Sequence, residues 1–197
     1  FYLDELRHEG LIKNIGVTNF DAAHLRIALS SGIKLVSNQI CYSLLDRRAS
    51  GEMAKVCKDF DIKLFAFGTL AGGFLSKKWL GKKEPKISDD LNWSQMKYKR
   101  FIDVTGGWKK FQNLLKTLDE LAQKNNTSIS NISSRYILED PNVASVIIGA
   151  RLGESNYIND NKKIYDINFS EDDKKLLSKS LNLLDVVHGD CGDEYRK

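Results

Sequence analysis

Apolar positions along the chain alternate between two spacings. Residues 12–18, 34–41, 63–67 and 144–148 are short apolar runs of strand length, rich in Ile and Val. Helical spacing governs the segments between and after them. Asp21 opens a helix over 21–30 that Gly32 stops, and residues 50–60 place Met53, Val56, Cys57 and Phe60 on one face. Residues 108–124 carry Phe111, Leu114, Leu115, Leu118 and Leu121 as a broad apolar stripe. Residues 128–138 repeat the spacing before Pro141, and two further helices are predicted over 155–164 and 171–181. Residues 76–107 are polar and too long for a simple connector.

Strands that alternate with helices imply parallel pairing through right-handed crossovers, so the fold class is α/β. No G-x-G-x-x-G follows any strand, which removes the fingerprint of the open-sheet dinucleotide fold. Short strands followed by long loops favour a barrel. About four strand–helix units are present, whereas a closed (β/α)₈ TIM barrel needs eight in roughly 250 residues. Half a barrel is predicted, as a single partial domain over residues 1–197. The chain opens on Phe1 and passes at once into what reads as a helix end closed by Gly10, and it finishes on a charged tail. Both features are those of a piece of a longer protein. Half a barrel also leaves two open edges and an inner face assigned to Val17, Val36, Phe65 and Ile147, so the isolated chain is expected to self-associate.

Composition narrows the function classes. The 42% hydrophobic and 28% charged content of these 197 residues is that of a water-soluble globular protein. No run approaches the roughly 18 apolar residues of a membrane span, and no signal-peptide pattern opens the chain. Cys41, Cys57 and Cys191 are odd in number and widely spaced, which argues against a disulfide framework and for a reducing, cytoplasmic setting. The net charge of +4 is mild. Its densest run, Lys77, Lys78, Lys82, Lys83 and Lys86 around Trp79, reads as a solvated loop rather than a nucleic-acid groove. Neither a nucleic acid nor a membrane is expected as a partner. His188, Asp190, Cys191 and Asp193 offer one His and one Cys with no second cluster, so they read as a flexible polar tail and no metal site is assigned.

One segment carries chemistry of its own. The strand at 144–148 stops at Gly149 and is followed by Arg151 and, at the expected helix start, Ser155. A helix N-terminus offers unpaired N–H groups and a partial positive charge to a phosphate, and Arg adds a planar fork of donors. By itself the segment reads equally as a plain strand–turn–helix with an exposed Arg.

Its neighbours extend the pattern. Residues 9–20 (EGLIKNIGVTNF), 37–47 (SNQICYSLLDR), 64–75 (LFAFGTLAGGFL), and 128–138 (SISNISSRYIL) with 143–151 (VASVIIGAR) resemble, in order, strands five to eight of the aldo-keto reductase family with their flanking helices. The resemblance covers nearly the whole chain and implies the C-terminal half of that family's TIM barrel. It implies an NADP(H)-dependent oxidoreductase that reduces small-molecule aldehydes or ketones to alcohols. Thr18 and Asn19, with Gln39 from the next strand, fall where the family holds the nicotinamide carboxamide; Asn19 also reads as a turn residue before Asp21. Phe67 falls where an aromatic ring stacks on the nicotinamide, and reads equally as a core aromatic. Gly68, Thr69 and Leu70 replace the common Ser-Pro-Leu at the pyrophosphate, and Gly72 with Gly73 permits close backbone approach or makes a turn. Gly149, Arg151 and Ser155 match the 2′-phosphate site and Asn161 the adenine site, although Arg151 to Asn161 is about two residues longer than the common spacing. Residues 76–107 resemble the loop that folds over bound cofactor, with Lys77, Trp79 and Lys82 covering the pyrophosphate or lying on plain surface. The family's catalytic Tyr, Lys, Asp and His belong to the other half of the barrel. None of Tyr2, Tyr42, Tyr98, Tyr136, Tyr157, Tyr165 or Tyr195 is assigned the acid role, so the chain alone is expected to be inactive. A second reading is a non-catalytic NADP-binding regulatory or scaffold module on the same barrel.

Overall fold

A computed structural model of the chain describes residues 2–86, 91–150, 153 and 156–195. Its centre is a four-stranded sheet in the order β1 (Ile15–Thr18), β2 (Leu35–Cys41), β3 (Lys63–Phe67) and β4 (Val143–Ile147). Every neighbouring pair is parallel, so the alternation of apolar runs with helical segments translates directly into crossovers. The described α-helices are α1 (Tyr2–His8), α2 (Ala22–Ser30), α3 (Glu52–Phe60), α4 (Trp93–Val104), α5 (Gly107–Lys124), α6 (Ile129–Leu138), α7 (Ile158–Lys162) and α8 (Glu171–Leu181). None of them is long and apolar enough to cross a membrane.

Helix ends follow their local chemistry. The Asp21 carboxylate accepts the His24 N–H at 2.7 Å and so caps α2, and the Ser128 hydroxyl caps α6 through Asn131. Ser170 and Asp173 form a reciprocal capping box on α8. Asn92 and Gln95 form another on α4, and this corrects the reading of 76–107 as one polar loop. Residues 93–104 carry Tyr98, Phe101 and Ile102 into the core at near-helical spacing, but the lysines and Arg100 between them dilute the pattern. The same stretch contains Trp79, which is not plain surface. Its ring packs on Phe74 at 4.8 Å and Trp108 at 5.9 Å, and its carbonyl accepts the Gln112 side-chain amide.

Two cores sit on either side of the strands' C-terminal ends. The first lies between the sheet and α2, α3 and α6, where Ile15, Ile40, Leu64 and Ala66 meet Leu25, Met53, Val56, Cys57 and Ile137. Phe60 departs from the expected face of α3 and is 40% exposed, because the helix ends there and Asp61 turns into the left-handed region at φ 51°. The second core gathers Leu44, Leu45, Phe74, Leu75, Tyr98 and Phe101 with the stripe of α5 beyond the rim. The opposite face of the sheet stays open, with Phe65 37% and Ile147 42% exposed. Val17 was expected on that open face but packs with the helix-side core, and Val36 falls at the register shift between β1 and β2. A bulge of that kind inserts a residue and breaks strict alternation.

The Phe74–Trp79–Trp108–Phe111 cluster ties the long connection to α5, which makes its packing measurable. Phe74 is fully buried, so Phe74→Ala should cost about 3–5 kcal/mol. Trp93→Ala, at an 87% exposed position on α4, should stay within about 0.5 kcal/mol. Urea denaturation followed by circular dichroism compares the two; equal losses would mean the cluster does not anchor the connection.

Candidate active site at the C-terminal rim of the sheet

Parallel strands send all their C-terminal ends to one rim, and ligands of α/β sheets bind there. Thr18 ends β1 and lies in register with Gln39, which in turn faces Phe65 and so belongs to the open face. Thr18 is exposed and Gln39 half-buried. The Asn19 amide N–H donates to the Gln39 carbonyl at 2.9 Å, which extends the ladder one residue beyond the strand. Asn19 then turns into the left-handed region at φ 57°, a conformation Asn tolerates better than most side chains. The three residues expected at the carboxamide, Thr18, Asn19 and Gln39, thereby lie in one corner. Phe67 closes β3 on the adjacent row, between Cys41 and Ile147, and is half-buried against the second core.

Beyond Phe67 the chain makes a tight turn through Gly68, Thr69 and Leu70. Gly68 has φ 74°, and any side chain there would collide with the phenol of Tyr98, which α4 lays across the turn. Gly72 meets the same ring, at 2.8 Å from where a Cβ would sit. Leu70 remains half-buried, and its carbonyl accepts the N–H groups of Gly73 and Leu75. The Thr69 side chain is 1% exposed and its hydroxyl pairs with Ser134 at 3.2 Å, which ties the turn to α6.

The phosphate end of the expected site is described in part. Gly149 is exposed two residues past β4 and has open space around it. Arg151 and Ser155 lie outside the described residues. The described helix here begins at Ile158, whose N–H the Asn156 side chain accepts at 3.0 Å. Asn161 is half-buried on this short helix, next to Asp160, whose carbonyl and carboxylate bind the Asn131 side chain.

Several rim residues carried no sequence signal. The guanidinium of Arg48 is paired with both oxygens of Asp46 at 2.7–2.8 Å and with Glu194 at 2.8 Å, and the Arg48 and Asp46 side chains are 7% and 1% exposed. Burial alone would lower the Arg48 pKa, but hydrogen bonds and charge from Asp46 and Glu194 raise it, so the guanidinium stays ionised. Asp46, Glu194 and the Cys41 thiol have their ligand atoms within 4.8 Å of one another, and Arg48 supplies the positive charge among them. Burial, followed by the Asp46 charge, pushes the Cys41 thiol up. The Tyr98 phenol, hydrogen-bonded to Cys41, is also pushed up by burial, as is the Tyr42 phenol beside Asp140. A phenol raised in this way is a poor proton donor near neutral pH. Residues 188–193 were expected to form a flexible polar tail. Instead Cys191 is 5% exposed in the sheet's core, and Tyr195 meets Phe67 edge-on with ring centroids 6.3 Å apart.

Comparison with known proteins agrees with this architecture. The chain is 28% identical over 195 residues to an NADH-specific methylglyoxal reductase of Escherichia coli, a match covering 93% of this chain and 53% of that protein. It is 27% identical over 130 residues to flagellar radial spoke protein 5 of Chlamydomonas reinhardtii, covering 65% of this chain and 24% of that protein. A glycerol dehydrogenase structure from Gluconobacter oxydans superposes with a TM-score of 0.72 at 18% identity, covering 91% of this chain and 52% of the other, and shares the fold. The chain thus spans about half the length of the reductase and of the dehydrogenase. The model of the aldo/keto reductase family matches residues 1–182, and the chain belongs to that family.

Proposed function

We propose that the chain is the C-terminal half of an NADPH-dependent carbonyl reductase barrel and supplies most of its cofactor site. The observation that carries this reading is the corner formed by Thr18, Asn19, Gln39 and Phe67 at the C-terminal rim. It combines amide and hydroxyl groups suited to a carboxamide with an aromatic ring suited to a flat heterocycle. In the turn after β3, Gly68 and Gly72 are covered by Tyr98, and Gly73, with open space where a Cβ would stand, is the glycine that leaves backbone accessible to a pyrophosphate. When bound, the cofactor supplies the hydride; the chain's own residues orient its ring and exclude water from one face. In this reading the open face, with Phe65 and Ile147, packs against the first half of the barrel, and in the isolated chain it drives self-association. The substrate is a small aldehyde or ketone, and the setting is cytoplasmic.

A second reading, a cofactor-binding module without catalysis, draws on the similarity to a protein named for the flagellar radial spoke. The two readings differ in whether the complete barrel turns over. In both, the proton donor belongs to the other half of the barrel; among the described residues the Tyr42 and Tyr98 phenols, raised by burial, run opposite to the lowered pKa of a catalytic acid. The purified chain should therefore show no NADPH-dependent reduction of 4-nitrobenzaldehyde. Steady turnover would place a catalytic acid within the chain and overturn this assignment.

Cofactor choice is the sharper test, because the Escherichia coli relative is named for NADH. Arg151 is the residue assigned to the 2′-phosphate that NADH lacks. A charge-assisted bidentate contact is worth about 1.5–3 kcal/mol, or roughly ten- to a hundred-fold in affinity. In the full-length protein, Arg151→Ala should weaken NADPH binding by that factor and leave NADH binding nearly unchanged. Ser155→Ala should act in the same direction but less strongly. Fluorescence titration with both cofactors measures this, and equal losses for the two would reduce Arg151 to a structural role.

A further inference from the structure

The segment after α8 crosses the rim and fills the place assigned to the nicotinamide. Leu184 is buried, and the Asp185 N–H donates to the Thr105 carbonyl at 3.1 Å while its carboxylate pairs with Lys110. Residues 189–195 then return over the C-terminal ends of β1 and β3. Arg48 holds them at two points, the Asp190 carbonyl at 2.5 Å and the Glu194 carboxylate at 2.8 Å. Gly192 lies so close to the Asn19 backbone that a Cβ would stand 2.6 Å from the Asn19 carbonyl oxygen. Tyr195, 45% exposed, covers Phe67 from outside. The ammonium of Lys97 on α4 sits among the three rings, 5.2 Å from the centroid of Phe67, 5.1 Å from Tyr98 and 4.2 Å from Tyr195. An ammonium boxed by aromatic faces is attracted to each of them.

The contact with Asn19 and the cover over Phe67 use the same two residues that the cofactor reading assigns to the carboxamide and to ring stacking. A heterocycle stacked on the face of Phe67 that Lys97 covers would have to displace that ammonium, which Tyr195 also holds. We propose that residues 189–195 are a self-inhibitory strap, clamped by Arg48, whose docking competes with nicotinamide binding; this rests on the reading of the rim as the nicotinamide seat. Beside the strap, against the start of α3, lies an open cleft of about 360 Å³ lined by Arg47, Ser50, Gly51, Val187 and the strap's own Asp190 and Cys191. The clamp is distinct from the core contact: Arg48 holds Asp46 through its own pair of hydrogen bonds, separate from the one to Glu194. Apparent cofactor affinity is the intrinsic affinity reduced by the fraction of molecules with the strap open.

Cys191 reports the strap's position, since its thiol is buried and pushed up to about 12 by burial and then by the Asp46 charge. The experiment titrates NADPH and NADH against the full-length protein and its Glu194→Gln and Tyr195→Ala variants by fluorescence. It also follows iodoacetamide labelling at Cys191 by mass spectrometry, with and without saturating cofactor. Both variants should bind cofactor more tightly, by roughly tenfold for loss of a charge-assisted contact. Saturating cofactor should accelerate Cys191 labelling in the unsubstituted chain. Unchanged affinities with unchanged or slowed labelling would overturn the strap while leaving the cofactor site intact. Weaker binding by Tyr195→Ala would overturn it as well, making Tyr195 part of the seat. Failure of all three proteins to bind either cofactor would instead remove the nicotinamide reading itself.

Discussion

Burial of one face of a parallel sheet is the constraint on which the rest of the structure depends. Ile40, Leu64 and Ala66 are inaccessible to solvent only because α2, α3 and α6 lie over them. Reaching the next parallel strand requires a return crossover, and each crossover supplies the helix that covers the sheet. The same geometry sends every strand end to one rim. Thr18, Gln39 and Phe67 are far apart in the chain and meet there for that reason alone.

The rim is finished by packing rather than by strand register. Tyr98 lies on a turn that only glycine at 68 and 72 can make beneath it, so α4 and the residues following β3 are mutually fitted. The Trp79–Trp108 contact holds the approach to α4 against α5. On the other side, the Arg48–Asp46 pair is almost fully withdrawn from water, where leaving either charge alone is strongly unfavourable. Arg48 therefore stands ready-made as an anchor, and residues 190–194 take its remaining donors.

The pattern of apolar residues was sufficient for the α/β class, the four strands to within three residues, and helices α2, α3, α5, α6 and α8. These elements are legible because burial imposes a period of two or 3.6 on the sequence itself. The motifs around Thr18, Asn19, Gln39 and Phe67 were legible too, being contiguous with strands. Helix α4 was missed although its Asn92–Gln95 capping box was in view, because charged residues interrupt its apolar face.

What the tertiary structure alone decided lies wherever a side chain's partner is distant in the chain. The Thr69 hydroxyl meets Ser134 on α6, a partner 65 positions away. Val17 turned from the open face to the helix side with the register shift between β1 and β2. The polar residues 188–195 carry no periodicity, and nothing local distinguishes them from a solvated tail. Arg48 lies 146 positions before Glu194, and only the folded rim brings that guanidinium, the Asn19 carbonyl and the Phe67 ring within reach of one short segment. Local spacing encodes which face an element buries; it does not encode which remote charge or ring will meet it.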